Sequence, residues 1–217
     1  EKAKVVFIGP CAAKKLEAMR KTVRSEVDFV LTFEEMAGIF DAKHVDIENI
    51  AEDEGGVSAA SRDGRNFAVA GGVAKSVVDV IAQMYPDKEI KVANAEGLKE
   101  CKKLLQLAKA GKYNGYLLEG MACPGGCVGG GGQPQHDGYE MAYERGQNLY
   151  FLDRNASIRY SHMNPDVWDL YNNFFEKPLS HKAHMLLHTD HYRWQMPLSP
   201  RRDRNGHVIN PNIRLQG

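Results

Sequence analysis

Short apolar runs alternate along the chain with segments whose apolar residues recur at helical spacing. Because alternating strands and helices favour parallel pairing, we predict an α/β fold with one mostly parallel sheet flanked by helices. Two loops that contain cysteine would follow the first and fourth strands, at the edge where open α/β sheets hold their sites. The four predicted strands are residues 5–8, 27–32, 90–93 and 115–120.

The helical segments carry their own sequence signals. Thr32 followed by Glu35 predicts a capping box at the start of a helix. In the helix predicted from residue 96 to near Gly111, the spacing directs Leu98, Cys101, Leu105 and Ala108 inward. Further helices, which form a helical C-terminal portion, are predicted over residues 139–152, 165–175 and 180–187.

Charge and cysteine content narrow the classes of function. The 28 Lys and Arg residues balance the 28 Asp and Glu residues, which argues against a broad nucleic-acid or membrane-surface role. No apolar run approaches the roughly 18 residues of a spanning helix, and no secretory leader is visible. Four cysteines in 217 residues then indicate metal or redox chemistry in a reducing compartment, so we predict a cytoplasmic protein.

Three of the cysteines lie in segments suited to an anionic cluster. Cys123 and Cys127 are four residues apart in MACPGGCVGGGGQP, where the glycines leave main-chain N–H groups free to face a ligand. Cys11 comes two residues after Gly9, and Lys14 lies just beyond it as a cation that lowers a thiol pKa. This pattern favours an iron–sulfur cluster, whose potential such N–H groups tune. A zinc site with a histidine as its fourth ligand stays open as an alternative.

The other candidate ligands have simpler interpretations. Cys101 falls mid-helix on the apolar face, where a free cysteine packs as a small hydrophobe. His181, His184 and His188 follow helical spacing, so they could hold a second metal. A basic helix end near the negative pole of the dipole is the favoured interpretation for these histidines.

Two longer stretches resemble active-site motifs of the iron-only, or diiron, hydrogenases. They are GPCAAKKLEA at residues 9–18 and EGMACPGGCVGGGGQP at residues 119–134. VDFVLTFEEMAGIF and SHMNPDVWDLYNNFFEKP are similar to other parts of the same family. The resemblance implies that residues 1–192 are the C-terminal part of the active-site domain, one lobe of it, and that residues 193–217 are an extension or tail.

The same resemblance implies a composite cofactor, a 4Fe–4S cluster joined to a diiron subcluster that carries CO, CN and dithiolate ligands. Cys11, Cys123 and Cys127 match three ligands of the 4Fe–4S cluster, with Cys127 as the bridge to the diiron unit. Lys14 matches a lysine that hydrogen-bonds cyanide, and Glu17 an acidic residue that holds this lysine. The other matched positions beside the cofactor are Met121, Gly9, Pro10, Gly125 and Gly126.

Two departures from the family pattern affect what we expect. The first family motif, which supplies a fourth cluster cysteine and a proton-relaying cysteine, is absent from these 217 residues. We therefore expect a cut end at Glu1, an upstream half that carries this motif, and an inactive chain without it. We also expect exposed apolar surface where that half would bind, through which two copies could pair. Gly9 stands where well-known catalytic members have Met, which opens space beside the cofactor and resembles the sensory branches.

The function implied by the resemblance is reversible reduction of protons to H2, with electrons from a ferredoxin or another iron–sulfur donor. A sensor of H2 or redox state with slow turnover is the first alternative, favoured by Gly9. A non-catalytic iron–sulfur assembly protein is the second, and Lys14, Gly125 and Gly126 argue against it.

Overall fold

The computed structural model describes residues 3–19, 27–51, 60–136 and 140–188, together with the backbone of 201–202 and 208–209. Its main strands are two parallel pairs, each with a helix between its members. The strands are β1 (Val6–Gly9), β2 (Phe29–Thr32), β3 (Lys91–Glu96) and β4 (Tyr116–Met121). The helices are α1 (Ala13–Ala18), α2 (Phe33–Ala42), α3 (Arg62–Arg65), α4 (Gly72–Met84), α5 (Leu98–Lys109), α6 (Ala142–Asn155), α7 (Pro165–Leu170) and α8 (His181–Leu187).

The predicted α/β class with parallel strands flanked by helices is confirmed, and in the described part of the chain these strands form two separate pairs. β1 pairs with β2 and β3 pairs with β4, and within the described ranges no strand links the two pairs. In each pair the carboxyl ends are level, with Gly9 beside Thr32 and Glu96 beside Met121. Strand–helix alternation indicates local parallel units because each unit is continuous in sequence. Whether one strand pair lies beside the other depends on contacts between residues far apart in the sequence, which the alternation does not encode.

The start of α2 follows the predicted capping box. The Glu35 backbone N–H donates to Thr32 Oγ1 at 3.2 Å, and the Thr32 backbone N–H donates to Glu35 Oε2 at 2.8 Å. Thr32 is buried, so the cap holds the end of β2 and the start of α2 in one rigid corner. Thr32 in this corner also lies close to Gly132, since a Cβ built on that glycine would be 2.8 Å from Thr32 Cγ2.

The face of α5 that packs inward differs from the prediction. Leu104 is 7% exposed, whereas Leu98 and Leu105 are 75% and 63% exposed. Cys101 does face inward, with its thiol 3.4 Å from the Met121 carbonyl oxygen. The sequence offers two neighbouring apolar stripes, and the position of β4 selects the one that contains Leu104.

The C-terminal helices match the predicted positions closely. α6 runs from Ala142 to Asn155, three residues later than the predicted bounds at each end; residues 140 and 141 are not helical, and residue 139 lies outside the described ranges. α7 continues as a π-helical turn over Tyr171–Phe175. Ser180 caps α8, because its hydroxyl accepts from the Ala183 N–H at 3.1 Å.

Apolar side chains cover little of the β1–β2 pair. Val6, Phe7 and Ile8 are 46%, 38% and 45% exposed, and Phe29 is 56% exposed. Parallel strands are normally covered on both faces, so this pair presents apolar surface of the kind the sequence led us to expect. What binds there stays a prediction.

Two further observations concern the tail and membranes. Arg201–Arg202 pairs antiparallel with Val208–Ile209, and the residues between them are outside the described part. The boundary predicted at residue 192 is not tested by this short pairing. Of the helices described, none has the length and apolar character needed to cross a membrane.

Candidate functional site

The first cysteine loop, residues 10–12, joins β1 to α1. The Lys14 backbone N–H donates to the Cys11 carbonyl oxygen at 3.2 Å, which turns the chain into the helix directly after the cysteine. On α1, Lys14 Nζ lies 2.5 Å from Glu17 Oε2, one helical turn away. Both side chains are less than half exposed, at 44% and 42%. Lys14 and Glu17 therefore form the ion pair that the resemblance implies.

The second cysteine loop, residues 122–134, follows β4. The Gly126 N–H donates to the Cys123 carbonyl at 3.0 Å, and the Gly130 N–H donates to the Cys127 carbonyl at 3.0 Å. These bonds make two successive tight turns around the cysteine pair. Gly126 has φ of 92°, a left-handed conformation that side chains rarely adopt.

The two loops come from different strand pairs and meet through backbone contacts. The Gly132 N–H donates to the Pro10 carbonyl oxygen at 2.9 Å. A Cβ built on Gly130 would lie 2.3 Å from that same oxygen, and one on Gly132 would lie 2.8 Å from Thr32 Cγ2. The glycine run therefore packs against the backbone next to Cys11.

This packing gives the glycines a role besides the one we predicted. We expected their N–H groups to face a ligand, and several of these glycines are also required by close contact with other parts of the protein. A Cβ on Gly126 would lie 2.6 Å from the Ala68 carbonyl oxygen, and one on Gly129 would lie 2.4 Å from the Pro124 carbonyl oxygen. Gly131 is the exception in the run, with no atom within 4 Å of such a Cβ.

The charges of Cys11 and Cys123 act on the third predicted cluster cysteine, Cys127. Burial raises the pKa of the Cys127 thiol, and the nearby charges of Cys11 and Cys123 raise this pKa further. The Lys14 ammonium acts in the opposite direction and lowers the same pKa. A Cys127 thiolate is thus costly here unless a cation or metal compensates its charge.

Residues 69–74, which lead into α4 and form its first residues, contact the second cysteine loop through their backbone. The Ala70 N–H donates to the Gly125 carbonyl at 3.0 Å, and Val69 forms an antiparallel bridge with Gly126. The segment then enters α4. Its position fixes the turn between the two cysteines.

Two carboxylates that the sequence analysis did not select secure this arrangement. Glu119 Oε1 accepts the N–H groups of Val73 and Ala74 at 3.1 and 3.3 Å, at the N-terminus of α4. Glu96 Oε2 accepts the Gly125 N–H at 2.6 Å. Glu119 was visible in the second motif, two residues before Met121, whereas Glu96 lies outside any motif.

Gly9 has a neighbour that its sequence context did not reveal. It is buried at the end of β1, and a Cβ built on it would lie 2.6 Å from Phe7 Cε1. The space that we expected at this position is therefore bordered by the Phe7 ring. A larger side chain at position 9 requires that ring to move.

The remaining cysteine and the histidines lie apart from these loops. The Cys101 thiol donates to the Ala95 and Met121 carbonyl oxygens at 3.5 and 3.4 Å and lines an open apolar cavity under α5. His184 Nδ1 lies 2.6 Å from His188 Nδ1. This histidine pair has no third ligand in the described part of the chain, so a second metal site gains no support.

The donors available at the site are three thiols beside one lysine. All four cysteines are free thiols, and the charges of Cys11 and Cys123 act on Cys127, as does that of Lys14. Thiolates are the ligands that hold iron–sulfur clusters, so this donor set fits three positions of such a cluster. In the described part of the chain, no three His, Cys, Asp or Glu side chains lie close enough together to hold one metal ion.

Two families of known proteins match the chain. The family described as "Iron only hydrogenase large subunit, C-terminal domain" matches residues 1–131, and the one described as "Iron hydrogenase small subunit" matches residues 139–194. Both families are thus represented in one polypeptide. The large-subunit match contains the first and second cysteine loops up to Gly131.

Curated relatives include hydrogenases and an assembly factor. NADP-reducing hydrogenase subunit HndD of Solidesulfovibrio fructosivorans is 32% identical, over 90% of this chain and 39% of its own length. Iron hydrogenase 1 of Clostridium pasteurianum is 27% identical, over 84% and 38%. Cytosolic iron-sulfur assembly component 3 of Mus musculus is also 27% identical, over 89% and 48%. The chain thus spans less than half the length of each of these relatives.

Solved structures agree with the sequence matches. A variant of FeFe-hydrogenase HydA1 from Chlamydomonas reinhardtii superposes with a TM-score of 0.69 at 26% identity, and covers 86% of this chain and 62% of that one. The chain therefore belongs to the iron-only hydrogenase large-subunit family, as a C-terminal domain of that kind.

Proposed function

We propose that the chain forms one lobe of the active-site domain of an iron-only hydrogenase, which reversibly reduces protons to H2. The observation that carries the proposal is the coupling of Cys11, Cys123 and Cys127 next to Lys14, from two loops that meet by backbone contact. Three cysteines alone would suit any cluster protein. The paired lysine favours a cofactor that bears an anionic terminal ligand.

The proposed cofactor is a 4Fe–4S cluster with a diiron subcluster, which would supply the electron storage and H2 chemistry that side chains lack. Cys11, Cys123 and Cys127 would ligate the cluster, with Cys127 as the bridge. Lys14, held by Glu17 at 2.5 Å, would donate hydrogen bonds to a cyanide nitrogen. Met121 would contribute an apolar, polarizable surface that excludes water.

The remaining partners follow from what the chain's own residues do not supply. A fourth cluster cysteine and a proton-relaying cysteine would come from a segment that carries the first family motif. We propose that this segment covers exposed apolar surface of the β1–β2 pair, to which Val6, Ile8 and Phe29 contribute on one face and Phe7 on the other. Electrons would come from a ferredoxin or a similar donor. Cytoplasmic location stays a prediction.

Infrared spectroscopy tests the proposal most directly. The chain would be produced anaerobically with the segment that carries the first motif and with the diiron maturation proteins. We expect bands of metal-bound CO and CN that disappear in Cys127→Ala and shift in Lys14→Ala. Cys101→Ala is the matched control and should leave the bands unchanged, because its thiol contacts only the Ala95 and Met121 carbonyls. Iron in the wild-type protein without these bands contradicts the proposal.

The similarity to cytosolic iron-sulfur assembly component 3 favours a second candidate, a non-catalytic cluster protein. That candidate requires iron and sulfide but no cyanide ligand, so Lys14→Ala should leave its cluster spectrum unchanged.

A sensor with slow turnover is the third candidate, and Gly9 with the Phe7 ring beside it is the feature that favours it. Diiron bands together with slow H2 turnover would support the sensor.

A further inference from the structure

The C-terminal side of the second cysteine loop is held by one arginine from α6. Arg145 Nη1 donates to the Val128 carbonyl oxygen at 3.0 Å, and Nη2 donates to the Pro134 carbonyl oxygen at 2.9 Å. These two carbonyls stand on either side of the four consecutive glycines. A single planar guanidinium therefore bridges both ends of the glycine run.

The same face of α6 packs against the loop and against the segment behind it. Ala142 Cβ lies 3.3 Å from a Cβ built on Gly125 and 3.4 Å from one built on Gly129. Gly146 is buried, and a Cβ built on it would lie 3.9 Å from Val69 Cγ2. Ala142, Arg145 and Gly146 are spaced i, i+3 and i+4, so one stripe of the helix makes all these contacts.

The glycine run depends on such external contacts. Four successive glycines have more unfolded-state freedom than any other sequence of that length, and no side chain of their own anchors them. Pro10 and Thr32 contact one side of the run through Gly130 and Gly132. Arg145 holds the residues that flank the run, Val128 and Pro134. Val128 is itself only 4% exposed.

We propose that Arg145 is a positioning residue for the cluster site. By holding the Val128 and Pro134 carbonyls, it sets the backbone that carries Cys127 and the N–H groups of the glycine run. Arg145 lies in the segment that matches the small-subunit family, so this segment takes part in building the site. The proposal rests on the proposed function for its link to the cluster, but the loop contact itself does not depend on it.

Arg145 acts through the loop and not through its charge on the thiol. Its two contacts with the loop are hydrogen bonds from the guanidinium to backbone carbonyls, whereas Lys14, on α1, is a separate cation of the site. A lysine at position 145 keeps the charge but presents a point ammonium that does not reach two carbonyls in one plane. Arg145→Lys should therefore fail to hold both carbonyls although it keeps the positive charge. This variant distinguishes the effect of the hydrogen-bond geometry from the effect of the charge.

Hydrogen exchange of the metal-free chain tests the contact independently of hydrogenase activity. In Arg145→Lys and Arg145→Met, the amides of Gly130, Gly132 and Gln133 should exchange at least about tenfold faster, because hydrogen bonds to a charged donor are lost. Amides in the last turns of α6 should be unchanged. Arg154→Met, an exposed arginine on the same helix, is the matched control and should leave the loop protected.

Chemical rescue keeps the test informative where a variant is unstable. In Arg145→Ala, millimolar N-ethylguanidinium should restore loop protection, whereas ethylammonium at the same concentration should not. In the loaded protein, the CO and CN bands should shift in Arg145→Lys but not in Arg154→Lys. Unchanged amide exchange in the loop of the Arg145→Lys and Arg145→Met variants would overturn the proposal. Amide exchange that is accelerated equally throughout α6 would overturn it too. Missing diiron bands in the wild-type protein would instead count against the proposed function.

Discussion

The two cysteine loops differ sharply in how the described protein holds them. The first loop leaves an exposed strand, enters a six-residue helix and depends on the half-exposed pair Lys14–Glu17. The second loop is held by residues 69–74, by Glu96 and by Arg145. The second loop is thus built by this chain's own packing, whereas the first loop has surface available for further contacts.

This contrast teaches which half of the site is preformed. Backbone-to-backbone contacts around Gly126, Gly129 and Gly130 leave no room for even a methyl group. Side chains around Cys11 and Lys14 are partly solvated. We therefore expect substitutions in the second loop to cost folding stability and substitutions in the first to change mainly thiol chemistry.

The substitution Gly130→Ala should break the second loop with the largest effect. Its Cβ would lie 2.3 Å from the Pro10 carbonyl oxygen, and neither backbone can move freely. We expect a loss of about 3 kcal/mol in the free energy of unfolding, at the upper end for overpacking. Gly131→Ala, with nothing within 4 Å, is the matched control and should change stability by less than about 0.5 kcal/mol. Urea unfolding measures both, and equal losses would contradict the packing argument.

Removing the Glu119 carboxylate should weaken the support behind the same loop. Glu119→Leu leaves the Val73 and Ala74 N–H groups without their acceptor, at a cost of about 2 kcal/mol. Glu119→Gln keeps an acceptor oxygen and should lose about half as much. Glu100→Leu, an exposed acidic position on α5, serves as the control in the same urea titration. The argument fails if Glu119→Leu is no worse than Glu100→Leu.

Lys14→Met should change thiol chemistry with little loss of stability. Because the Lys14 cation lowers the Cys127 pKa, its removal raises that pKa, and half-maximal alkylation of Cys127 moves to higher pH. Peptide-resolved mass spectrometry after iodoacetamide treatment of the metal-free chain measures the profile. Lys15→Met is the neighbouring control, since Lys15 pairs with Glu35 instead. A shift of equal size in both variants would show that Lys14 has no specific role.

The raised Cys127 pKa also gives stability a pH dependence. A folded-state pKa above the unfolded value means that the folded chain holds its proton more tightly. The resulting stability is present below the unfolded thiol pKa and is lost as pH rises through the folded pKa. Denaturant midpoints of the metal-free chain should therefore fall above that pH. Cys127→Ser should remove this part of the decline, and an unchanged slope would contradict the shift.

Gly9→Ala is expected to have the smallest effect. The atom nearest to its Cβ is Phe7 Cε1 at 2.6 Å, the far end of a side chain that is 38% exposed and free to rotate. We expect a cost below about 1 kcal/mol in thermal unfolding, and recovery of that cost in the double variant with Phe7→Ala. A loss as large as that of Gly130→Ala would show that β1 is held more rigidly than its exposure indicates.

Local sequence signals predicted the elements around the site well. The Thr32–Glu35 capping box, the parallel strands and the positions of both cysteine loops after β1 and β4 follow from patterns a few residues long. They are recoverable because each depends on neighbours in the chain. The predicted inward face of α5 was wrong because it depends on which distant element packs there. The division of the parallel strands into two pairs depends on such distant contacts too.

The sequence alone determined which chemical groups are available: three thiols, a lysine one turn from a glutamate, and a run of four glycines. Tertiary structure decided why those glycines are needed, since their close neighbours are the backbones of Pro10, Ala68 and Pro124. It also decided that Glu96, Glu119 and Arg145 hold the second loop. The physical reason is distance along the chain: hydrogen bonds and steric limits between remote segments leave no periodicity or spacing for a sequence to display.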